Sequence, residues 1–293
     1  MTNIIPDRVR GIGFLLLTSF LWGVNWPVMK FLLTELPPLS TRAICCAIGT
    51  LLTLGIALAQ GEKLRPLPGQ WRRLLTSAGL NVTAWMCLTT LSLLWLRASE
   101  TTIVAYTLPI WATLLARPLL GERLTPARCL GLLLGLSGVV VLVAVEPQAA
   151  AWAKLPGVAL ALAGSMLFGL GAVLSKRSPL SMPPVTAVAW QIGLGTLPLL
   201  AGMLIEQPRF GAVDAIGWSA LAASGALAMG LGYITWFAAL RRLPASITTI
   251  GSLLVPVIGV SASALMLGEP LGFRECGALT LTLSGVAIAT KEP

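Results

Sequence analysis

Residues 103–122, IVAYTLPIWATLLARPLLGE, and residues 250–269, IGSLLVPVIGVSASALMLGE, decide the fold. Each is a run of 20 residues, and the only charges are Arg117 and the closing Glu122 and Glu269. A helix needs about 20 apolar residues to cross the hydrocarbon core of a bilayer. Both runs carry a proline (Pro109, Pro256) and end in a Gly-Glu pair (Gly121-Glu122, Gly268-Glu269), at a constant offset of 147. Two span-length segments that recur at half of a 293-residue chain predict a membrane protein made of two related halves.

The rest of the chain agrees. It is 56% apolar and 11% charged, where a soluble domain carries about 25% charge, and its mean hydropathy is +0.86. That excludes a soluble globular protein, a disordered chain and a disulfide-framed secreted domain. Apolar runs between turn and charge signals predict ten helices, at 11–31, 39–59, 72–94, 99–118, 127–146, 155–176, 184–205, 215–240, 245–267 and 272–290. The first is read as an uncleaved span, since no small-residue cleavage site follows a short apolar region. No loop is long enough to fold alone, so function must lie within the membrane.

Further matches fall at an offset of 146 to 147: Trp71 with Trp218, Gly138-Val139 with Gly285-Val286, and Lys30 with Lys176, behind LWG at 21–23 and LFG at 167–169. The halves are 1–147 and 148–293, with five spans each. An odd number makes the second half enter the membrane from the opposite face. The predicted fold is an all-α integral membrane protein of ten transmembrane helices in two inverted-topology five-helix repeats, a plan that builds transporters with alternating access.

Ten spans put both termini on one side, side A. Fourteen of the 20 Lys and Arg fall there, and six (Lys30, Arg42, Arg97, Lys154, Arg209, Arg274) fall on side B. With four acidic residues on A and seven on B, the sides carry +10 and −1. Basic residues gather in cytoplasmic loops, so both termini are expected in the cytoplasm of a bacterial-type inner membrane. The net charge of +9 is thus a topology signal and no nucleic-acid partner is expected. Histidine is absent, which removes every His-based triad, relay or metal site. No metal, cofactor or catalytic residue is expected, and the chain is not read as an enzyme. The five cysteines (45, 46, 87, 129, 276) read as free thiols acting as small hydrophobes.

The two halves, LWGVN in the first helix, and the stretches ASETTIVAYTLPIWATLLARPLLGERLT and PASITTIGSLLVPVIGVSASALMLGEPL resemble the drug/metabolite transporter superfamily, in its EamA-type ten-helix branch. The resemblance covers nearly the whole chain and implies export of small metabolites, with amino acids as the substrate class. LFGLG at 167–171 departs from it, lacking the Trp and Asn of LWGVN.

Candidate site residues follow from polarity inside spans. Pro109 and Pro256 leave the carbonyls of Ala105 and Ser252 without helical partners, so the prolines are hinges and Ser252 a candidate contact. Trp71, Trp95, Trp152 and Trp218 fall at helix ends, where an interface belt explains them. Trp22, Trp26, Trp85, Trp111, Trp190 and Trp236 lie within spans and either pack between helices or line a cavity. Asn25, Asn81, Thr89, Tyr106, Gln191 and Tyr233 share those helices, with Asn81, Trp85 and Thr89 at i, i+4, i+8. Arg42 and Lys30 either attract a carboxylate at the cavity mouth or snorkel to the interface. Gly131, Gly135, Gly138, Gly277 and Gly285 mark small faces that either pack helices together or form a dimer contact. The expected function is secondary export of neutral or aromatic amino acids through a neutral, aromatic-lined cavity, as a facilitator, since no carboxylate falls mid-span; a monomer suffices. The rivals are an exporter of aromatic cations and a membrane-embedded enzyme acting on lipid precursors.

Overall fold

The computed structural model describes residues 7–121, 125–144, 148–243 and 252–289, and they contain helices and short turns with no strand. The elements are α1 (Asp7–Glu35), α2 (Pro38–Ala59), α3 (Trp71–Ser92), α4 (Ala98–Leu120), α5 (Pro126–Ala144), α6 (Gln148–Arg177), α7 (Pro184–Glu206), α8 (Ala215–Ala239), α9 (Leu254–Leu267) and α10 (Phe273–Ala289). Seven of them are long and apolar enough to cross a membrane. Each matches one of the predicted helices, with α1 and α6 longer than their apolar runs. Positions 245–251 of the predicted ninth helix, residues 145–146, residue 290 and Glu122 lie outside the described residues.

Two local features depart from uniform rods. α4 breaks into Ala98–Ala105 and Leu108–Leu120, where a single helix was expected. Pro109 has no N–H to give and disfavours helical geometry in the residue before it. The chain turns instead, with Thr107 N donating to Val104 O at 3.2 Å and Ile110 N to Thr107 O at 2.9 Å. α3 and α8 each carry a π-helical stretch, at Gly79–Ala84 and Ser224–Leu231. The wider turn leaves an extra carbonyl open, and such bulges gather at functional sites.

Helices that start in a membrane must find partners for their open N–H groups. α2 and α7 start at prolines with no side-chain cap of their own. The cap comes from far along the chain. Glu206, at the end of α7, accepts from Leu39 N (3.0 Å), Ser40 N (2.7 Å) and Ser40 Oγ (2.6 Å) at the start of α2. Glu62, just past α2, accepts from Thr186 N (2.7 Å) and Thr186 Oγ1 (2.9 Å) at the start of α7. The arrangement is reciprocal. Glu269, after α9, serves α4 in the same way through Ala98 N (2.8 Å) and Ser99 N (2.9 Å).

Packing is reciprocal as well. A Cβ on Gly23 of α1 would sit 2.6 Å from Ile258 Cγ2 and 3.1 Å from Val255 O in α9. A Cβ on Gly169 of α6 would sit 3.1 Å from Trp111 Cβ and 3.2 Å from Leu108 O in α4. The helices touch so closely that only glycine fits at either place. Gly121 and Gly268 close α4 and α9 at φ 74° and 65°, a left-handed turn that glycine adopts at no cost. The small faces of α5 and α10 meet each other, with Gly138 against Ala278 O and Thr282, and Gly285 against the backbone of Gly131 and Gly135. Gly277 lies off this contact, with open space beside it.

Acidic residues sit at helix ends, and two of them, Glu100 and Glu275, are buried. Glu100 is 2% exposed and accepts from Lys154 Nζ at 2.8 Å and Arg274 Nη2 at 3.1 Å, and Arg274 also pairs with Glu275 at 2.5 Å. This cluster ties α4, α6 and α10 together at the end of the bundle where α2 begins. Cys45 and Cys46 are buried thiols as expected, Cys87 is half-buried, and Cys129 and Cys276 are exposed. Trp71, Trp95, Trp152 and Trp218 are exposed at helix ends.

The reciprocal caps can be tested. Charge-assisted hydrogen bonds contribute about 1.5–3 kcal/mol each. Glu206→Ala and Glu62→Ala should both lower the unfolding midpoint in detergent by several degrees. An unchanged midpoint for either would remove that carboxylate from the helix start.

Candidate functional site

The aromatic residues inside the spans do not share one role. Trp22 donates Nε1–H to Ala228 O at 3.0 Å, a carbonyl in the π-helical stretch of α8. Its ring meets Tyr233 edge-on at 5.4 Å and Trp236 at 5.5 Å. Across from them, Trp26 meets Trp85 at 6.4 Å and Trp85 meets Phe168 at 4.9 Å. These two aromatic groups belong to the wall of one cavity of about 830 Å³.

Polar groups complete the wall. Ser224 Oγ donates to Asn25 Oδ1 at 2.6 Å, which anchors Asn25 between α1 and α8. On α3, Asn81 Nδ2 donates to Ser77 Oγ at 3.1 Å, and Ser77 Oγ donates to Gln191 Oε1 of α7 at 2.7 Å. Asn81 Oδ1 is buried without a partner, against Gly171, where a Cβ would fall 1.9 Å from it. Tyr106, Pro109 and Ser252 bring the break of α4 and the start of the described part of α9 to the same cavity.

Of the residues singled out by sequence, the cavity therefore gathers Trp22, Asn25, Trp26, Arg42, Asn81, Trp85, Tyr106, Pro109, Gln191, Tyr233, Trp236 and Ser252. Five others lie elsewhere. Thr89 is fully buried, donates to Trp85 O at 2.6 Å and packs on Gly164. Trp111 donates to Thr107 Oγ1 at 3.2 Å and braces the break of α4. Trp190 donates to Leu64 O at 2.7 Å and meets Trp71 edge-on, which fastens the α2–α3 loop to α7. Pro256 is buried within α9. Lys30 gives its ammonium to Leu93 O and Leu96 O, just past the end of α3.

Arg42 neither snorkels nor sits at a mouth. It is 3% exposed, deep in the bundle, with its Nε on Thr90 Oγ1. The opposite end of the cavity is bordered by Arg72 and Arg73 in the first turn of α3 and by Ser178, Pro179 and Leu180 in the α6–α7 loop. Arg72 and Arg73 are exposed there. The cavity thus extends to the bundle end where α3 begins, while the glutamate caps of α2 and α4 and the Glu100 cluster tie the other end. Among the described residues, three arginines and no Asp or Glu line it, so its lining is cationic where a neutral one was expected.

Sequence reading missed Phe168, Ser77 and the arginine pair. Two of these had a signal. Phe168 stands in LFG where Trp22 stands in LWG, and Ser77 extends the Asn81–Trp85 face by one turn.

Comparison with known proteins fits this architecture. The EamA-like transporter family matches residues 9–144 and again residues 155–291. "Uncharacterized transporter YvbV" of Bacillus subtilis is 31% identical over 93% of this chain and 90% of its own. "Aromatic amino acid exporter YddG" of Ancylobacter novellus is 28% identical over 87% and 88%. "Probable amino-acid metabolite efflux pump" of Salmonella typhimurium is 27% identical over 95% and 94%. One solved crystal structure superposes with a TM-score of 0.67 at 23% identity, over 94% of this chain and 96% of that one.

The Trp22 bond yields a prediction. Trp22→Phe keeps a ring but leaves Ala228 O unpaired, at a cost of about 1–3 kcal/mol. It should lower the unfolding midpoint in detergent more than Trp85→Phe does. Equal or reversed effects would place the Trp22 indole outside the structural role.

Proposed function

The chain belongs to the EamA-like transporter family, and from that membership we propose that it exports amino acids with aromatic or neutral side chains across a bacterial inner membrane by alternating access. The observation that carries the substrate class is the cavity: two groups of aromatic rings around polar side chains, with arginines and no carboxylate. Rings give apolar side chains a surface to pack on, and the arginines attract a carboxylate. The same arginines speak against the aromatic-cation reading, because a cation would meet like charge and no counter-ion. Two relatives named for amino-acid export point the same way.

The mechanism rests on two inverted five-helix halves, residues 1–147 and 148–293. The reciprocal glutamate caps and glycine contacts support it. Ser40 and Thr186, and Gly23 and Gly169, stand at one offset of 146. Opposed halves of matched sequence can exchange their packings, which opens the site first to one face and then to the other. By the charge asymmetry, side A, where Arg72 and Arg73 border the cavity, faces the cytoplasm. The cavity as described is then the inward-open state, with the outer end tied. No carboxylate lines the cavity among the described residues, which supports facilitated export without a proton relay.

Purified protein in liposomes should release preloaded phenylalanine or leucine with or without a pH gradient. No release under either condition would end the substrate reading, and release only with a gradient would end the facilitator reading. Orientation has its own check, since Lys63 and Arg209 are exposed at opposite ends of the bundle. In a cysteine-free background, an impermeant maleimide should label Arg209→Cys in intact cells and Lys63→Cys only after lysis. The reverse pattern would invert the topology.

A further inference from the structure

Arg42 is a buried cation with an unused hand. Its Nε is held by Thr90 Oγ1, while its Nη1 is buried and has no hydrogen-bond partner. It makes no ion pair among the described residues. The titratable groups beside it are Cys46, Cys45 and Tyr233, none of them a carboxylate. Cations elsewhere in the bundle are satisfied: Lys154 and Arg274 share Glu100, and Lys30 holds two carbonyls. An unpaired guanidinium in a low-dielectric interior is strongly unfavourable unless an anion joins it.

The fold does not require a cation at this place. At the offset that relates Ser40 to Thr186, Arg42 corresponds to Val188, which is also 3% exposed and also lines the cavity. Thr90, at the neighbouring offset of 147, corresponds to Phe237, another lining residue. One half packs this position with Val and Phe, while the other places an arginine oriented by a threonine. The guanidinium fork matches a carboxylate in shape and charge. Arg72 and Arg73 at the open end would draw an anion inward, and Arg42 is where it would stop.

An ammonium has no counter-charge here. Among the described residues no Asp or Glu lines the cavity, and the unpaired acceptor Asn81 Oδ1 belongs to a residue nine positions before Thr90 on α3. At 1.5 Å per residue that is roughly 13 Å along the axis, several times the separation of the two charges in an α-amino acid. Trp85 lies between them.

We propose that Arg42 is the carboxylate-anchoring residue of the cavity, and that solutes are selected by a carboxylate on an apolar or aromatic body, without need of an amino group. The substrate class then extends from amino acids to aryl and alkyl monocarboxylates. The proposal rests on the reading of the cavity as the transport site, though binding at Arg42 can be measured apart from transport.

The test uses purified full-length protein and its intrinsic tryptophan fluorescence, with 3-phenylpropionate (carboxylate, no amine), phenethylamine (amine, no carboxylate) and L-phenylalanine as probes. 3-Phenylpropionate should bind within about tenfold of phenylalanine, and phenethylamine should not compete. Arg42→Gln should weaken 3-phenylpropionate by about ten- to hundredfold, with Arg42→Lys in between. Equal binding of the amine, no binding of 3-phenylpropionate, or an unchanged affinity in Arg42→Gln would each overturn the proposal. If Arg42→Gln does not fold, the two analogues on the unaltered protein decide. Arg42-dependent binding without release of any amino acid from liposomes would overturn the export reading and leave this one standing. Release of phenylalanine that is indifferent to Arg42→Gln would do the opposite.

Discussion

A helix that begins inside a bilayer has open N–H groups and no water to satisfy them. α2 and α7 both begin at prolines, which supply no capping side chain. The solution is carboxylates sent from distant elements: Glu206 to α2, Glu62 to α7, and Glu269 to α4. Much else depends on this. Each cap joins residues more than 120 positions apart, so the helix starts are satisfied only through tertiary packing. A charged acceptor at a helix N-terminus also matches the sign of the helix dipole.

The same economy shapes the cavity. Backbone irregularities are tolerated in a membrane only where something meets the freed groups. The break of α4 has Thr107 and Trp111 folded back on it, and the π-helical stretch of α8 has the Trp22 indole on Ala228 O. These irregular segments border the cavity, because a straight rod packed on its neighbours would leave no space. The Glu100 cluster and two glutamate caps tie one end of the bundle, while exposed arginines border the cavity at the other.

Much of the site was legible because polarity inside a span is rare enough to be informative. Asn25, Asn81, Tyr106, Gln191 and Tyr233 all reach the cavity. Where the reading went astray, local pattern and tertiary role had parted. Thr89 continues the spacing of Asn81 and Trp85, yet it is turned against Gly164 of α6. Trp111 and Trp190 look like Trp22 and Trp85 in sequence, but their N–H groups are taken up by Thr107 and a loop carbonyl. Lys30 and Arg42 looked alike as charges near span ends. Lys30 found backbone carbonyls, and Arg42 found a cavity.

Sequence alone determined that this chain lives in a membrane and where its apolar spans run, because hydrocarbon thickness converts directly into run length. It also pointed to a two-halves plan, since matched residues at a fixed offset can be counted without coordinates. Tertiary structure decided which faces meet. Whether an indole lines a space, as Trp22 does, or fastens a loop, as Trp190 does, depends on partners more than a hundred residues away. No local pattern carries that information. The cavity's charge is the clearest case: composition and spacing suggested a neutral lining, and only the folding of α2 and α3 against the rest brought three arginines to it, with no acid lining it among the described residues.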